Sequence, residues 1–262
     1  MPELPEVETY RRYVEQHALR QKITRVTVQD LRILSGIKPL HLTRALKGGI
    51  FTTTVRHGKH LFVRCSRGAW LHLHFGMSGD LCYYDSSEEP PRFARVTIHF
   101  SRGTALAYDD MRLFGRVGLS ENPAKTIQER GLGFDPLDPA LGKRRFLTIL
   151  KPRRGAVKAL LMRQDLVAGL GNLYVDEILF QSGIHPRKPM QTMGDSQLEK
   201  IFRSMKRVLR ATIDRKQRGL RHPSRFLIPH REEGACCPRC DGSIERIVVA
   251  GRTTYFCGTH QK

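Results

Sequence analysis

Short runs in which apolar and polar residues alternate fill residues 23–118 of the chain. A period of two places successive side chains on opposite faces of a strand, so these runs predict β-strands with one buried face. Gly, Ser, Asp and Pro residues separate the runs at turn-length intervals, which favours a β-sandwich or barrel-like domain. The clearest runs are 23–28, 51–55, 60–63, 70–75 and 95–100.

The pattern changes near Arg144, where apolar residues recur at helical spacing. This periodicity predicts amphipathic helices over 146–150, 159–162, 174–180 and 198–213, and a further helix is predicted at 5–19. Pro and Gly turns between the two regions indicate a linker. We therefore predict an α+β protein with an N-terminal domain at 1–125, a linker at 126–142, a helical domain at 143–230 and a Cys-rich module at 231–262.

Overall composition places the chain among globular proteins. It has 262 residues, of which 40% are hydrophobic and 27% charged, enough for one large or two moderate domains. No apolar run approaches the length of a membrane span, and the acidic, polar N-terminus is unlike a signal peptide. We therefore expect a cytoplasmic protein without membrane association.

Positive charge is concentrated in one third of the chain. The formal net charge is +20, and residues 143–231 hold 21 Lys and Arg against 6 Asp and Glu, a surplus of 15. A basic region of this size is typical of proteins that bind a polyanion, most often nucleic acid. The charge fits a ribosomal or RNA-binding protein equally well.

Four of the six cysteines lie in the last 27 residues. Cys237-x-x-Cys240 is followed after sixteen residues by Cys257-x-x-His260, a spacing that predicts a tetrahedral structural zinc site on a β-hairpin turning at 250–251. Unmetallated or disulfide-linked cysteines are the alternative. Cys236 competes as a ligand, but its spacing to Cys240 is wrong. Four protein ligands leave no open position, so the single zinc ion is predicted to be structural.

The first residues place an amine and two carboxylates close together. Removal of Met1 would leave Pro2 with a free secondary amine, and α-amino groups titrate near neutral pH. Such an amine attacks an aldehyde carbon to give an iminium, or Schiff base. Glu3 is adjacent to Pro2, and Glu6 lies one helical turn further on. A frayed, featureless N-terminus is the alternative.

A glycine turn, Gly169-Leu170-Gly171-Asn172, precedes the predicted helix at 174–180. Glycines allow close approach of a backbone, and a helix N-terminus attracts phosphate. We expect Asn172 to cap the helix or donate to phosphate, and Lys158 to reach the same phosphate. A Gly-x-Gly turn alone is often only a turn, but this one lies in the most basic segment.

Several ordered motifs resemble one family through the whole chain. They are Pro2-Glu3-Leu4-Pro5-Glu6-Val7-Glu8, Gly58-Lys59, His74-Phe75-Gly76-Met77-Ser78-Gly79, Asp110-Met111-Arg112-Leu113-Phe114-Gly115, Gly169-Leu170-Gly171-Asn172-Leu173-Tyr174-Val175-Asp176-Glu177 and the terminal Cys-rich segment. Together they resemble bacterial formamidopyrimidine-DNA glycosylases (Fpg, or MutM) of the Fpg/Nei superfamily, and Leu4 favours the Fpg branch.

The resemblance implies an N-terminal β-sandwich, a helix-two-turn-helix domain and a β-hairpin zinc finger, with double-stranded DNA in the cleft between them. It implies base flipping, attack of Pro2 on C1′ of an oxidised or ring-opened purine nucleotide, and strand nicking by β,δ-elimination. Glu3 would be the acid/base group, Glu6 would position it, and Lys59 would contact a phosphate near the lesion. A monomer is expected, since one basic cleft suffices for one lesion.

The resemblance also implies the residues that hold the duplex. Met77, Arg112 and Phe114 would fill the gap left by the extruded nucleotide. Lys158, Asn172 and Arg252 would grip phosphates. In isolation, Met77 and Phe114 would be interpreted as core residues, and Arg112 and Lys59 as surface cations. The motif context overturns that interpretation for Lys59. His72 and His74 are interpreted as packed or hydrogen-bonded histidines, and that interpretation is kept.

Four positions depart from the family pattern. His260 replaces the customary fourth cysteine, Leu113 replaces an arginine, and Phe93-Ala94 replaces a His-Asp pair. The stretch 218–230 is shorter than usual and would include the loop that closes over 8-oxoguanine, so hydantoins or oxidised pyrimidines are alternative substrates. A non-catalytic DNA-damage-binding protein is the alternative from another class, and it would not need the free Pro2 amine.

Overall fold

The computed structural model describes residues 1–262, which form two compact units. The first unit is Met1–Gly131 and the second is Leu132–Lys262. The boundary follows a short helix, Pro123–Glu129, whose C-terminal part overlaps the predicted linker at 126–142.

The first unit contains eight strands and three α-helices, and each predicted strand run in this region corresponds to a strand. In chain order the elements are α1 (Leu4–His17), β1 (Ile23–Val28), α2 (Pro39–Leu46), β2 (Phe51–His57), β3 (His60–Cys65), β4 (Trp70–His74), β5 (Gly79–Asp85), β6 (Ala94–Phe100), β7 (Thr104–Asp110), β8 (Arg116–Ser120) and α3 (Pro123–Glu129).

Two antiparallel four-stranded sheets make up the first unit. Their strand orders are β1-β6-β7-β5 and β2-β3-β4-β8. Apolar side chains from both sheets share one core, for example Leu61 and Leu71 from one sheet with Ile98 and Leu106 from the other. Two sheets that bury their inner faces in one core form a β-sandwich, so the predicted sandwich is confirmed.

Helix α1 attaches the N-terminus to this sandwich. Val7 and Val14 are fully buried in the same core as the two sheets. The Tyr10 ring packs against Phe75, with centroids 4.4 Å apart. Because one face of α1 is held by the core, the residues at its first turn have a fixed place on the sandwich.

The second unit is helical and ends in a hairpin. Its elements are α4 (Lys143–Leu150), α5 (Val157–Leu161), α6 (Asn172–Ser182), α7 (Asp195–Gln217), β9 (Glu245–Val249) and β10 (Arg252–Phe256). Helix α6 is buried on all sides from Tyr174 to Phe180, as expected for the central helix of a bundle. The four predicted helical segments of this region are confirmed.

The hairpin turns where the sequence predicts. Val249 pairs with Arg252, so Ala250 and Gly251 form a two-residue turn. Both have positive φ, +48° and +71°, which matches a type I′ hairpin turn. Separately, no helix in the structure is long and apolar enough to cross a lipid bilayer.

Candidate active site and nucleic-acid interface

The predicted nucleophile and both predicted carboxylates lie on one turn at the start of α1. Pro2 is buried, Glu3 is only 2% exposed, and Met1 before them is exposed. Glu3 is the N-cap residue: its side chain accepts a hydrogen bond from the backbone of Glu6, and its own N–H donates to Glu6 Oε2 at 3.0 Å. This reciprocal capping box holds both carboxylates in place, so the segment is ordered and the frayed alternative is wrong.

Glu8 ties this helix to strand β2 through a buried ion pair with Arg56, and it also pairs with two arginines of its own helix. Its carboxylate accepts from Arg11 at 2.8 Å, Arg12 at 2.8 Å and Arg56 at 3.0 Å. Burial alone would raise the pKa of Glu8, but the hydrogen bonds from Arg11 and Arg12, with the charge of Arg56, lower it to about 2. The carboxylate therefore stays charged at every physiological pH.

Lys59 lies at the tip of the β2–β3 hairpin, between the paired residues His57 and His60. The φ of Gly58 is +56°, whereas the φ of Lys59 is not positive. This combination is typical of a type II′ turn, which has glycine at its first central position. Arg56 Nη1 donates to the Gly58 carbonyl at 3.2 Å. The arginine that pairs with Glu8 thus also holds the turn that carries Lys59.

Two loops of the sandwich meet at Gly76. A side chain added there would approach the Phe114 carbonyl carbon to 2.3 Å and Gly115 N to 2.5 Å. Only glycine permits this contact, and its φ of +54° favours glycine too. The loop that carries Met77 is therefore packed directly on the loop that carries Arg112 and Phe114.

Asp110 organises both loops, and sequence reasoning did not single it out. Its fully buried carboxylate accepts from Ser78 Oγ at 2.5 Å, Arg112 N at 3.2 Å and Gly115 N at 2.8 Å. Ser78 Oγ also accepts from Arg112 N at 3.1 Å. An aspartate that ends a strand before a glycine-containing loop is the signal that could have identified it.

The three predicted gap-filling residues point outward. Met77 is 42% exposed and Phe114 is 50% exposed, so neither belongs to the core. The Arg112 guanidinium lies 4.9 Å from the centre of the Phe114 ring, a cation–π contact. Leu113 between them has φ +56°, which is unusual for a residue other than glycine, and its own side chain packs against the core. The structure thus presents two apolar side chains and a cation on adjacent loops.

The histidines of β3 and β4 pack inside the first unit. His60 Nδ1 and His72 Nε2 lie 2.9 Å apart, and the His72 ring stacks on Phe62 at 4.6 Å. His74 Nδ1 accepts from Gly76 N at 3.3 Å. Burial lowers the pKa of His60 to about 2 and of His72 and His74 to about 4. These rings are neutral at physiological pH, in agreement with their reading as packed, hydrogen-bonded histidines.

The predicted glycine turn leads directly into α6. Gln164 braces it: its side chain accepts from Gly169 N at 3.0 Å and donates to the Leu170 carbonyl at 2.7 Å. Gly171 is the N-cap residue, so Asn172 is the first helical residue and not the cap. Asn172 Nδ2 donates to the Thr253 carbonyl at 2.9 Å, which links the N-terminus of α6 to the hairpin.

Lys158 has a different partner from the expected phosphate. Its side chain is fully buried, and Nζ lies 2.6 Å from Asp176 Oδ1 and 2.6 Å from Thr254 Oγ1. An ammonium enclosed by protein and paired with a carboxylate cannot reach a phosphate on the surface. The structure therefore does not support the expected phosphate contact of Lys158 and makes it part of a buried ionic network.

Asp176 is the centre of that network, and sequence reasoning missed its role. Its Oδ2 accepts from Arg231 at 2.8 Å and from Tyr255 N at 3.3 Å. Burial raises the pKa of Asp176, while the charges of Lys158 and Arg231 oppose the rise. Two adjacent charged residues, Asp176 and Glu177, within the apolar stretch 174–180 are the signal that could have indicated buried partners.

This network positions Arg252 beside the start of α6. Arg252 begins β10 and is exposed. The next three residues, 253–255, contact Asn172, Lys158 and Asp176 respectively. Two of the three predicted phosphate-binding residues, Asn172 and Arg252, are thereby held close together, and Arg252 is free of the buried network.

Three of the four predicted zinc ligands converge. The sulfur atoms of Cys237, Cys240 and Cys257 lie within 4.8 Å of one another, and those of Cys240 and Cys257 are 3.6 Å apart. Zinc–thiolate bonds of 2.3 Å in a tetrahedron place sulfurs about 3.8 Å apart, so the donor set fits zinc. No disulfide forms, and Cys236 is exposed outside the cluster.

The imidazole of His260 is not part of this thiol cluster. Its Nε2 lies 2.9 Å from the Phe180 carbonyl, and its ring packs on the Phe180 ring at 4.8 Å. Because Nε2 has a carbonyl partner, Nδ1 is the nitrogen that could bind a metal. Histidine ligands are commonly oriented in this way, by a hydrogen bond from the second ring nitrogen to a backbone carbonyl. His260 as the fourth ligand stays a prediction.

Segment 218–227, between α7 and the 3-10 turn Ile228–His230, is anchored by hydrogen bonds near its C-terminal end. Gln181 Nε2 donates to the Arg225 carbonyl at 3.0 Å, and His230 Nε2 lies 2.8 Å from the Ser224 carbonyl. The buried Glu177 accepts from Ile228 N at 2.9 Å. These bonds fix the C-terminal half of the segment on α6.

Family models match three regions of the chain. The formamidopyrimidine-DNA glycosylase N-terminal domain matches residues 1–117, and the H2TH domain of the same enzymes matches residues 132–224. A zinc finger found in FPG and IleRS matches residues 237–259. The three matches follow the order that the sequence motifs predict.

Individual proteins resemble the chain over its full length. A formamidopyrimidine-DNA glycosylase of Geobacter metallireducens is 35% identical, with 98% of each chain covered. A solved structure of MutM in complex with DNA containing carbocyclic 8-oxo-G is 29% identical, with a TM-score of 0.88 and 100% of each chain covered. A Lactococcus lactis FPG mutant in complex with DNA containing Fapy-dG is 29% identical, with a TM-score of 0.90 and 100% of each chain covered.

Proposed function

The chain belongs to the formamidopyrimidine-DNA glycosylase family, and from this premise we propose that it excises oxidised or ring-opened purines from duplex DNA and then cleaves the strand. Formamidopyrimidines and 8-oxoguanine are the proposed substrates. The observation that carries the proposal is the buried first turn, where Pro2 precedes Glu3 and a capping box joins Glu3 to Glu6. This turn holds an amine nucleophile and an acid/base group as one rigid unit.

The first step is a displacement at C1′ of the damaged nucleotide. With Met1 removed, the lone pair of the Pro2 nitrogen attacks C1′, and the bond from C1′ to the base breaks with its electrons leaving on the base. After the attack the Pro2 nitrogen loses its proton, which neutralises the departing base. Glu3 delivers a proton to the deoxyribose ring oxygen as the ring opens. The nitrogen lone pair then forms the second bond to C1′, so the product is an iminium that carries one positive charge, balanced by the Glu3 carboxylate.

The iminium makes strand cleavage possible. It withdraws electrons from C2′, so loss of a C2′ proton expels the 3′ phosphate by β-elimination. A second elimination expels the 5′ phosphate, and hydrolysis releases Pro2. Glu3 accepts and returns protons in these steps, while Glu6 orients it through the hydrogen bond to the Glu3 backbone. Lys59, on the hairpin tied to α1, neutralises a phosphate near the lesion.

The remaining exposed residues hold the opened duplex. Met77 and Phe114 fill the space left by the flipped nucleotide, and Arg112 faces the orphaned base. Their outward position on two interlocked loops supports this role. Asn172 and Arg252 bind phosphates at the start of α6 and on the hairpin. One structural zinc ion, held by Cys237, Cys240, Cys257 and His260, would fix the hairpin that carries Arg252.

Borohydride trapping tests the proposal. Reduction of the iminium links enzyme and DNA covalently, so a duplex with one 8-oxoguanine opposite cytosine should yield a stable adduct. The matched control is the same chain carrying an N-terminal extension, which locks the Pro2 nitrogen into a peptide bond without altering any side chain. The extended chain should bind the duplex and form no adduct.

Each result of this experiment has a distinct meaning. Trapping by the extended chain would remove Pro2 as the nucleophile. If neither 8-oxoguanine nor a pre-formed abasic site traps the free chain, the protein is a DNA-damage-binding protein without this chemistry. Glu3→Gln should bind DNA normally but excise the base at least about a hundredfold more slowly, the effect of losing a positioned acid/base group.

The anchored segment 218–227 favours a second lesion preference. Its C-terminal half is fixed to α6 through Gln181 and Glu177, so it has little freedom to close over a flipped 8-oxoguanine. An enzyme of this kind would prefer hydantoins or oxidised pyrimidines. Trapping on an abasic site without trapping on 8-oxoguanine, followed by trapping on a hydantoin duplex, would establish this alternative.

A further inference from the structure

We propose that a basic groove between α7 and the C-terminal end of α6 binds a second segment of double-stranded DNA. The groove, called here the α6/α7 groove, has a volume of about 450 Å³. Helix α7 contributes Lys200, Arg203 and Arg207, and α6 contributes Gln181 and Ser182. The inference rests on the proposed function only for the identity of the partner as DNA.

The three cations form one continuous face. They are spaced by three and four residues, and residues at that spacing lie side by side on a helix. All three are exposed, and no carboxylate lines the groove. The groove therefore concentrates three positive charges that the protein itself does not neutralise.

The acidic residues of α7 are all engaged elsewhere. The helix has only three carboxylates, and each one pairs with a cation outside the groove. The pairs are Asp195 with Lys151 at 2.7 Å, Glu199 with Lys143 at 2.9 Å, and Asp214 with Arg218 at 3.6 Å. The three carboxylates of α7 are thus paired with other cations, so none of them forms an ion pair with Lys200, Arg203 or Arg207.

The groove is separate from the proposed phosphate site. Helix α6 has 11 residues, so its ends lie about 15 Å apart at 1.5 Å per residue. Asn172 is at the first end, and residues 181–183 line the groove at the other. The two ends face opposite directions along the helix axis, and we assign the phosphates bound at the two places to different DNA segments.

The lining chemistry selects DNA over a protein partner. The groove contains cations, two serines, an amide, a histidine and a glycine, and no large apolar side chain. Protein interfaces depend on buried apolar or aromatic anchors. Binding to the DNA backbone depends on Lys and Arg contacts to phosphate. A chain with both sites would bridge two duplex segments, and would transfer between them without full release.

A bridging assay tests the inference. An undamaged duplex is immobilised, loaded sparsely with the full-length protein, and offered a fluorescent undamaged duplex. The groove variant combines Lys200→Gln, Arg203→Gln and Arg207→Gln. The control variant combines Lys22→Gln, Arg44→Gln and Arg102→Gln, three exposed positions in the first unit with the same loss of charge.

The wild type and the control should capture the second duplex. The groove variant should capture roughly tenfold less, and the dependence of log affinity on log salt should weaken by about one unit per lost contact. Excision from a lesion duplex with no second duplex present should be unchanged in the groove variant. That result also shows that the variant is folded.

Three outcomes would overturn the inference. They are absence of bridging by the wild type, equal bridging by the groove variant, and displacement of the second duplex by an acidic peptide at lower concentration than by DNA. Failure of the proposed function is distinguishable, because bridging without excision would reject the chemistry and leave the groove as a DNA site.

Discussion

The ammonium of Lys158 lies 2.6 Å from Oδ1 of Asp176, and both side chains are fully buried. Lys158 belongs to α5, Asp176 to α6, and the same ammonium reaches Thr254 of the hairpin at 2.6 Å. One ion pair therefore joins three elements of the second unit. It fixes the hairpin that carries Arg252 against the helix that begins with Asn172.

Lys158→Met should destabilise the second unit by about 3 kcal/mol, because Asp176 would lose one of its two cations inside the protein. Chemical denaturation of the variant measures this change. The double variant with Asp176→Asn should recover part of the loss, since it removes the fully buried carboxylate and the one charge that remains, on Arg231, is partly exposed. A variant of unchanged stability but weaker DNA binding would instead restore Lys158 as a phosphate ligand.

Glu177 should make the protein less stable as the pH rises toward neutrality. Burial raises its pKa from 4.5 to about 7, although Gln181 and the backbone of residues 227–228 donate to it. Between these two values the folded state holds a proton that the unfolded chain has released, so the free energy of unfolding falls with rising pH. The full effect is about 3 kcal/mol.

Comparison with Glu177→Gln isolates this effect. The buried histidines act in the opposite direction, since their lowered pKa values favour the folded state as the pH rises toward 6.5. The wild type and the Glu177→Gln variant contain the same histidines, so the contribution of these histidines cancels when the two free energies of unfolding are subtracted. Denaturant midpoints at pH 5 and pH 8 should show the difference, wild type minus variant, falling with pH. A difference that does not change would mean that Glu177 titrates normally.

Met77→Ala and Phe114→Ala should reduce base excision without unfolding the protein. Both side chains are largely exposed, so the free energy of unfolding should change by about 0.5 kcal/mol or less. Excision should slow roughly tenfold or more, because extrusion of a paired nucleotide costs a few kcal/mol that these residues offset. Single-turnover excision measures the loss.

Met111→Ala provides the control for these two variants. Met111 lies on the same loop as Phe114 and is 56% exposed, yet it has no assigned contact with DNA. The Met111→Ala variant should excise the damaged base at the wild-type rate. Equal losses in all three variants would indicate a general disturbance of the loop and would remove the gap-filling role.

Zinc removal should unfold the hairpin selectively. Cys257→Ser removes a fully buried thiol ligand from the cluster and should therefore release the metal. Because structural zinc supplies the folding free energy of such fingers, the hairpin should then unfold. Cys236→Ser is the matched control, since Cys236 adjoins Cys237 but lies outside the cluster. Elemental analysis and DNA affinity of the two variants give the comparison. Zinc loss from Cys236→Ser would change the ligand assignment.

The variant His260→Ala tests whether His260 is the fourth zinc ligand. If Nδ1 binds zinc, the variant should lose metal more readily, and His260→Cys should restore it, since both donors suit tetrahedral zinc. If His260 acts only through its contact with the Phe180 carbonyl, neither variant should alter zinc content.

The sequence by itself determined the elements and the chemistry of the N-terminus. Alternation of apolar and polar residues at 95–100 and helical spacing at 198–213 were sufficient because burial of one face imposes a period of two on strands and of 3.6 on helices. The cysteine spacing identified the thiol cluster because knuckle geometry places ligands two residues apart. Pro2, Glu3 and Glu6 are neighbours in the chain, so local geometry alone brings them together.

Only the tertiary structure decided which distant polar residues meet. Lys158 and Asp176 are eighteen residues apart, and the sequence suggested a phosphate contact for Lys158 and no role for Asp176, but packing of α5 on α6 buries both and forces them to pair. Asp110 became the support of two loops because the close contact at Gly76 brings those loops together. Periodicity specifies the face of each element, whereas the partner across a core depends on how the elements pack, which no local pattern encodes.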